Sequence, residues 1–201
     1  MKILITGHSR GIGKSTFGLL EDGKNEIVGM SRSNGHDLEK KYEQFKNKIL
    51  FYDPDVFINN AYVNNNQTKL LKEIYQEWEC KKKLIINICS VAALIPETHS
   101  DYIMPYATDK REQRKYCHEK NFMYSKQDFL KTKCSLVNLN FDYTKTTFKS
   151  KHDKRLYPNL TCKEVADIIS YVIQGYKNNI CFREISFHST RDPELILKAE
   201  Q

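Results

Sequence analysis

No apolar run in these 201 residues approaches the roughly 18 needed to cross a bilayer, so a membrane span is not expected. Nor is there a basic segment followed by an apolar stretch and a small-residue cleavage site. Met1–Thr6, MKILIT, leads directly into a glycine-rich turn, and a secretory leader is not expected. Six cysteines stand at 80, 89, 117, 134, 162 and 181, with no C-x-x-C pair among them. That spacing disfavours a zinc site or a disulfide framework, so reduced thiols in a cytoplasmic protein, without metal, are expected. Internal repeats and low-complexity tracts are also missing, and this length suits one domain over residues 1–201. Lys and Arg outnumber Asp and Glu by 32 to 25, yet they alternate with acids, as in DLEKKYEQFKNK. Without a basic tract or a nucleic-acid motif, nucleic acid is not an expected partner.

What remains is an alternation of short apolar runs and amphipathic stretches. Strands are expected at Lys2–Thr6, Glu26–Ser31, Asp55–Ala61, Leu84–Ser90, Ser135–Phe141 and Ile180–Phe187. Between them, Ser15–Leu20 opens a helix. Tyr42, Phe45 and Ile49 share one helical face, and Leu71, Ile74 and Trp78 another. A further helix begins near Tyr106, and Thr161 with Glu164 forms a capping box ahead of Val165. Several strands are apolar on both faces, which predicts a parallel sheet covered on each side. The expected fold class is a doubly wound α/β domain, Rossmann-like, in three α/β/α layers, with ligands at the carboxyl ends of the strands.

Thr6–Thr16, TGHSRGIGKST, sits at such an end and has the composition of a phosphate cradle. Its GKST ending is that of a Walker A loop, G-x-x-x-x-G-K-[ST], which would use Gly13, Lys14 and Ser15 as a nucleotide kinase or NTPase. Counting back from Gly13, however, puts His8 where the first glycine belongs. Only Asp53 could serve as the strand-end magnesium acceptor. Taken as Gly7-x-x-x-Gly11-x-Gly13, the same residues permit a sharp turn, a close backbone approach to pyrophosphate, and tight helix–strand packing.

TGHSRGIG resembles the cofactor loop of the short-chain dehydrogenase/reductase family, and the likeness continues in order along the chain. Asn59–Tyr62, NNAY, is similar to the family's N-N-A-G. INICS is similar to N-I-S-S, with Ser90 at the catalytic position, and Tyr106–Lys110, YATDK, matches Y-x-x-x-K. The resemblance implies an NADP(H)-dependent oxidoreductase moving hydride between nicotinamide and a carbonyl or alcohol. Tyr106 would be the proton donor and Ser90 the residue that orients the substrate oxygen. Lys110 lies one helical turn on, and its charge is expected to favour the Tyr106 phenolate by roughly one to three pKa units.

The resemblance also makes Lys110 a ligand of the nicotinamide ribose, beside Tyr106. It places Gly7, Ser9, Arg10, Gly11, Ile12 and Gly13 around the diphosphate. Asp37 and Leu38 would lie by the adenine, Asn60 and Ala61 along the adenosine, and Thr144 at the carboxamide. Ser31, Arg32 and Ser33 follow the second strand where an NAD enzyme commonly carries an acid, and Arg10 in the glycine loop adds a second guanidinium suited to a 2′-phosphate, so NADP is the expected cofactor.

The chain departs from that pattern in several places. A helix is missing between the second strand and His36–Leu38, and KLLKEIYQEWECKK offers no counterpart to the family's catalytic asparagine. Tyr62 replaces a glycine, and His8 is expected to lie exposed in its turn. Tyr143–Arg155 holds the position of the substrate loop and carries five Lys or Arg against Asp153, which would suit an anionic substrate. By resemblance, a homodimer or homotetramer is expected. Shortened elements leave a second possibility, a non-catalytic dinucleotide sensor on the same fold.

Overall fold

Ile3, Leu4 and Ile5 are all fully enclosed, although successive side chains of a strand point to opposite faces. A strand apolar on both sides must have helices above and below it, and the computed structural model has that arrangement. It describes residues 1–94, 104–122, 132–142, 144–145 and 160–189. Most of the substrate-loop segment, including Lys149, Lys151 and Lys154, therefore lies outside the described residues.

The elements run β1 (Lys2–Thr6), α1 (Gly11–Leu20), β2 (Glu26–Met30), α2 (Tyr42–Tyr52), β3 (Val56–Asn59), α3 (Asn66–Trp78) and β4 (Leu84–Ile88). They continue with α4 (Met104–Phe122), β5 (Ser135–Phe141), β6 (Thr144–Lys145), β7 (Leu160–Thr161), α5 (Cys162–Lys177) and β8 (Glu184–Phe187). Six strands form one parallel sheet in the order β2-β1-β3-β4-β5-β8, and β6 pairs with β7 apart from it.

Ile3 and Ile5 join Leu20 of α1 and Val165, Ile169 and Val172 of α5 on one face. Leu4 and Phe57 meet Phe45 of α2 and Leu71, Ile74 and Trp78 of α3 on the other. The result is the doubly wound, Rossmann-like sheet that the apolar strands imply.

Three strands stop one or two residues short of the sequence expectation, β2 at Met30, β3 at Asn59 and β4 at Ile88, and two boundaries differ by four residues. Helix α1 starts at Gly11, four residues before Ser15, because the glycine turn runs directly into it. Strand β8 starts at Glu184 rather than Ile180, because Asn178–Ile180 folds back onto the end of α5. Asn179 adopts φ 60°, and Ile180 N donates to the Gly175 carbonyl at 2.8 Å.

In the usual doubly wound order, 3-2-1-4-5-6, one strand lies outside the second. Here β2 is the edge. As the sequence implies, no α-helix follows β2 before His36–Leu38; a 3₁₀ turn, Arg32–Asn34, stands there, and α2 returns directly to β3 beside β1. No helix among the described residues is long and apolar enough to cross a membrane.

Candidate active site

The carboxyl ends of β1 and β3 are tied by one hydroxyl. Thr6 Oγ1 accepts from the backbone N of Asn60 and of Ala61, each at 2.9 Å. Asn60 Nδ2 donates to the Thr6 carbonyl at 2.8 Å, so this side chain braces the loop from beneath. Gly7 then turns with φ 73° and Gly11 with φ 56°, a region that side chains disfavour. A Cβ at Gly13 would collide with the Gly7 carbonyl oxygen and Asn60 Nδ2, so only glycine allows the helix so close to the turn.

Helix α1 has no side-chain cap and no acidic residue in its first turn. The first amides of a helix have no intrahelical acceptor and carry its positive dipole end. This cradle fits a pyrophosphate. Ser9 and Arg10 are exposed at its rim, while Ile12 packs its side chain partly against the core.

Asp53 cannot serve such a loop with magnesium. It precedes β3, at the opposite edge of the sheet, and pairs with Lys83 Nζ at 3.0 Å. His8 is half-buried rather than exposed. Its ring rests 5.2 Å from that of Phe17 and fills the space over Gly29, where a Cβ would clash.

Beyond β2, Ser31 is buried and its Oγ lies 2.7 Å from that of Ser33. Arg32 is exposed between them. Asp37 faces its own turn, with Oδ1 accepting from Glu39 N at 2.9 Å and Lys40 N at 3.1 Å, and these bonds hold its carboxyl below the usual pKa. Leu38 is a core residue, packed with Leu4, Met30 and Phe45, so its side chain is unavailable to a ligand. Its carbonyl accepts from Asn66 Nδ2 at 3.0 Å.

At the end of β4, the Ser90 hydroxyl faces the Tyr106 phenol of α4. Ser90 Oγ accepts from Ala92 N at 3.1 Å, which fixes it at the head of a 3₁₀ turn, Val91–Leu94. One turn along α4, the Lys110 ammonium lies 5.5 Å from the centre of the Tyr106 ring. The structure thus brings Ser90, Tyr106 and Lys110 together.

Their electrostatics differ from the sequence expectation. Burial raises the Tyr106 phenol, the nearby Ser90 hydroxyl only partly opposes this, and Lys110 is not among the causes. The ammonium is turned inward, donating to Gln67 Oε1 at 2.7 Å and the Ile88 carbonyl at 3.0 Å. Burial brings its pKa down to about 8.

Tyr62, where the family pattern has glycine, does not point outward. Its ring meets that of Tyr106 edge-on at 4.9 Å, and its hydroxyl donates to Asp109 Oδ2 at 3.1 Å. Ala61 is half-buried beside the glycine turn, and its Cβ lies near Gly7. Thr144 follows β5 at the same sheet edge, with Oγ1 donating to the Asp142 carbonyl at 3.1 Å.

Gln67 is the residue that motif spacing missed. It lies just ahead of the segment in which a catalytic asparagine was sought, and its only sequence signal is an amide one residue into a helix.

No protein-family description matches the chain, and no curated protein matches its sequence. Solved structures do match. One is a 3-alpha-hydroxysteroid dehydrogenase from Pseudomonas sp. B-0831, complexed with NADH, at TM-score 0.76 and 16% identity over 100% of both chains. Another is a short chain dehydrogenase from Burkholderia cenocepacia J2315, in complex with NADP, at TM-score 0.68 and 14% identity, covering 99% of this chain and 92% of that one. A third is an alcohol dehydrogenase from the archaeon Thermococcus sibiricus, complexed with 5-hydroxy-NADP, at TM-score 0.69 and 16% identity over 95% and 97%. The chain has the fold of the short-chain dehydrogenases. At such identities the likeness is one of architecture.

Proposed function

We propose that the protein is an NADP(H)-dependent oxidoreductase acting on a small carbonyl or alcohol substrate, as a single domain. The observation that carries this reading is the convergence of the Ser90 hydroxyl, the Tyr106 phenol and the Lys110 ammonium at the carboxyl end of β4. In a doubly wound sheet this is the crevice where ligands bind.

When bound, a reduced nicotinamide dinucleotide supplies hydride to the carbonyl carbon. The chain supplies the rest. Gly7, Ser9, Arg10, Gly11, Ile12 and Gly13 hold the diphosphate on the first amides of α1. Asn60 and Ala61 line the adenosine side, Asp37 and the backbone of Leu38 bound the adenine pocket, and Thr144 stands toward the carboxamide.

Ser31, Arg32 and Ser33 receive the 2′-phosphate. The preference for NADP rests on Arg32, exposed and positively charged, and on Asp37 being folded into its own turn. Ser90 steadies the substrate oxygen as negative charge grows on it. Tyr106 delivers a proton to the same oxygen. With its phenol raised by burial, Tyr106 keeps that proton at neutral pH, which suits reduction. Lys110, titrating near 8, is mostly charged at pH 7 and offsets the charge left on the phenolate.

The test is NADPH oxidation across a panel of carbonyl compounds, with Tyr106→Phe as control. Turnover by the native chain and a loss of at least about 100-fold in the variant are expected. A second possibility, a dinucleotide sensor, is favoured by one feature: Lys110 already spends its donors on the protein. Tight NADPH binding without turnover of any carbonyl would select it.

A further inference from the structure

Gln67 is enclosed in the first turn of α3, and both ends of its carboxamide are engaged. Nε2 donates to the Asn59 carbonyl at 2.8 Å and the Ile88 carbonyl at 3.1 Å, stitching the helix to the ends of β3 and β4. Those two bonds fix which way the amide faces. Oε1 is left to accept from Lys110 Nζ at 2.7 Å and from Gln113 Nε2 at 3.3 Å.

Behind this contact runs a file of buried carboxamides. Gln113 Oε1 accepts from Lys110 Nζ at 3.4 Å and from Asn87 Nδ2 at 3.2 Å. Asn87 Nδ2 also donates to Asn138 Oδ1 at 2.9 Å, and Asn138 Nδ2 to Asn140 Oδ1 at 2.9 Å. Asn140 Nδ2 ends the file on Glu184 Oε1 at 2.8 Å, and Glu184 is paired with Arg114.

An ammonium can only donate and a carboxylate can only accept, so the two ends impose one orientation on the amides between. Turning any of them would set like atoms face to face in a medium where an unmet polar group is costly.

We propose that Gln67 is the positioning residue for Lys110, its Oε1 holding the ammonium beneath Tyr106 and setting how readily the amine releases its proton. This role rests on the assignment of Tyr106 and Lys110 as the reacting pair. The other groups facing the amine are the Cys89 thiol at the end of β4, Asp109 beside it on α4, and the rings of Tyr62 and Tyr106. Gln67, Gln113 and Ile88 present it with uncharged oxygens, so the acceptor at 67 can be altered without disturbing a neighbouring charge.

Two near-isosteric substitutions test the role. Gln67→Glu keeps the reach and adds a carboxylate; Gln67→Met keeps the length and removes the acceptor. The Lys110 amine is titrated by NMR in protein carrying isotope-labelled lysine, using Lys110→Met to assign its signal. The proton affinity of the amine should rise about tenfold or more in Gln67→Glu and fall in Gln67→Met. Thr68→Val, at the adjacent buried residue, should leave it unchanged.

NADPH-dependent carbonyl reduction should persist to higher pH in Gln67→Glu and fail at lower pH in Gln67→Met. If Gln67→Met does not fold, Gln67→Glu decides alone. An unchanged Lys110 titration in a folded Gln67→Glu protein overturns the proposal. A shifted titration in a protein whose native form reduces no carbonyl supports the hold on the amine and removes the reductase assignment instead.

Discussion

Lys110 is a cation the fold encloses at a cost. Its proton is held less tightly in the folded chain, near pH 8 against an ordinary 10.5, with burial as the first cause. Between those two values the unfolded chain binds more protons, so stability attributable to this group rises with pH across that window. That contribution is fully present above 10.5 and is lost as pH falls to about 8. The span corresponds to about 3 kcal/mol for one isolated group. Lys110→Met should therefore flatten the alkaline gain. Denaturant unfolding of both proteins at pH 7.5 and pH 10 measures it, and an equal gain in the two would refute this account.

Arg32 gives a second prediction at this scale. Arg32→Asp removes a fork suited to phosphate and places a carboxylate where a 2′-phosphate would sit, so NADPH affinity should fall at least tenfold while NADH affinity holds. Fluorescence titration of the two nucleotides reads the ratio.

At the scale of elements, the capping box of α5 is complete. Thr161 Oγ1 accepts from Glu164 N at 3.2 Å, and Glu164 Oε2 accepts from Thr161 N at 2.7 Å. Thr161→Ala should cost about 1 kcal/mol, seen as a shifted denaturation midpoint with an unchanged slope. Gly13→Ala should act differently, forcing α1 off the Gly7 carbonyl and weakening NADPH binding; a thermal-shift titration would show the lost stabilisation.

These two signals were open in the sequence because each is local: a cap is four residues long, and a glycine turn is seven. Strand β5, Ser135–Phe141, was legible to the residue because its apolar run is bounded on both sides. Gln67 was not legible. Helical period marks Leu71, Ile74 and Trp78 as the inward face of α3, but not how far the first turn overhangs the sheet edge. The asparagines of β3, β4 and β5 look like interruptions of apolar strands until the register aligns Asn59 with Asn87 and Asn87 with Asn138. The Tyr106 phenol was misjudged for a related reason. Four-residue spacing puts Lys110 on the same helical face, but the acceptors that draw its ammonium inward belong to α3 and β4.

In the molecule as a whole, no strand lies outside β2 among the described residues and a 3₁₀ turn stands where a helix would follow it, yet the crevice at the carboxyl ends of β1, β3 and β4 is kept. That edge is the flank farthest from Ser90 and Tyr106, so the site end of the sheet is unaffected by it. The other face carries a different consequence. Helix α1, which presents the phosphate cradle, shares its apolar cluster with α5. A helix that begins at Gly11 must therefore wait for one that begins at Cys162. A ribosome-bound intermediate halted before Leu160 would present Leu20, Ile12 and Phe17 without their α5 partners, leaving the helix behind the glycine turn exposed to chaperones until α5 emerges.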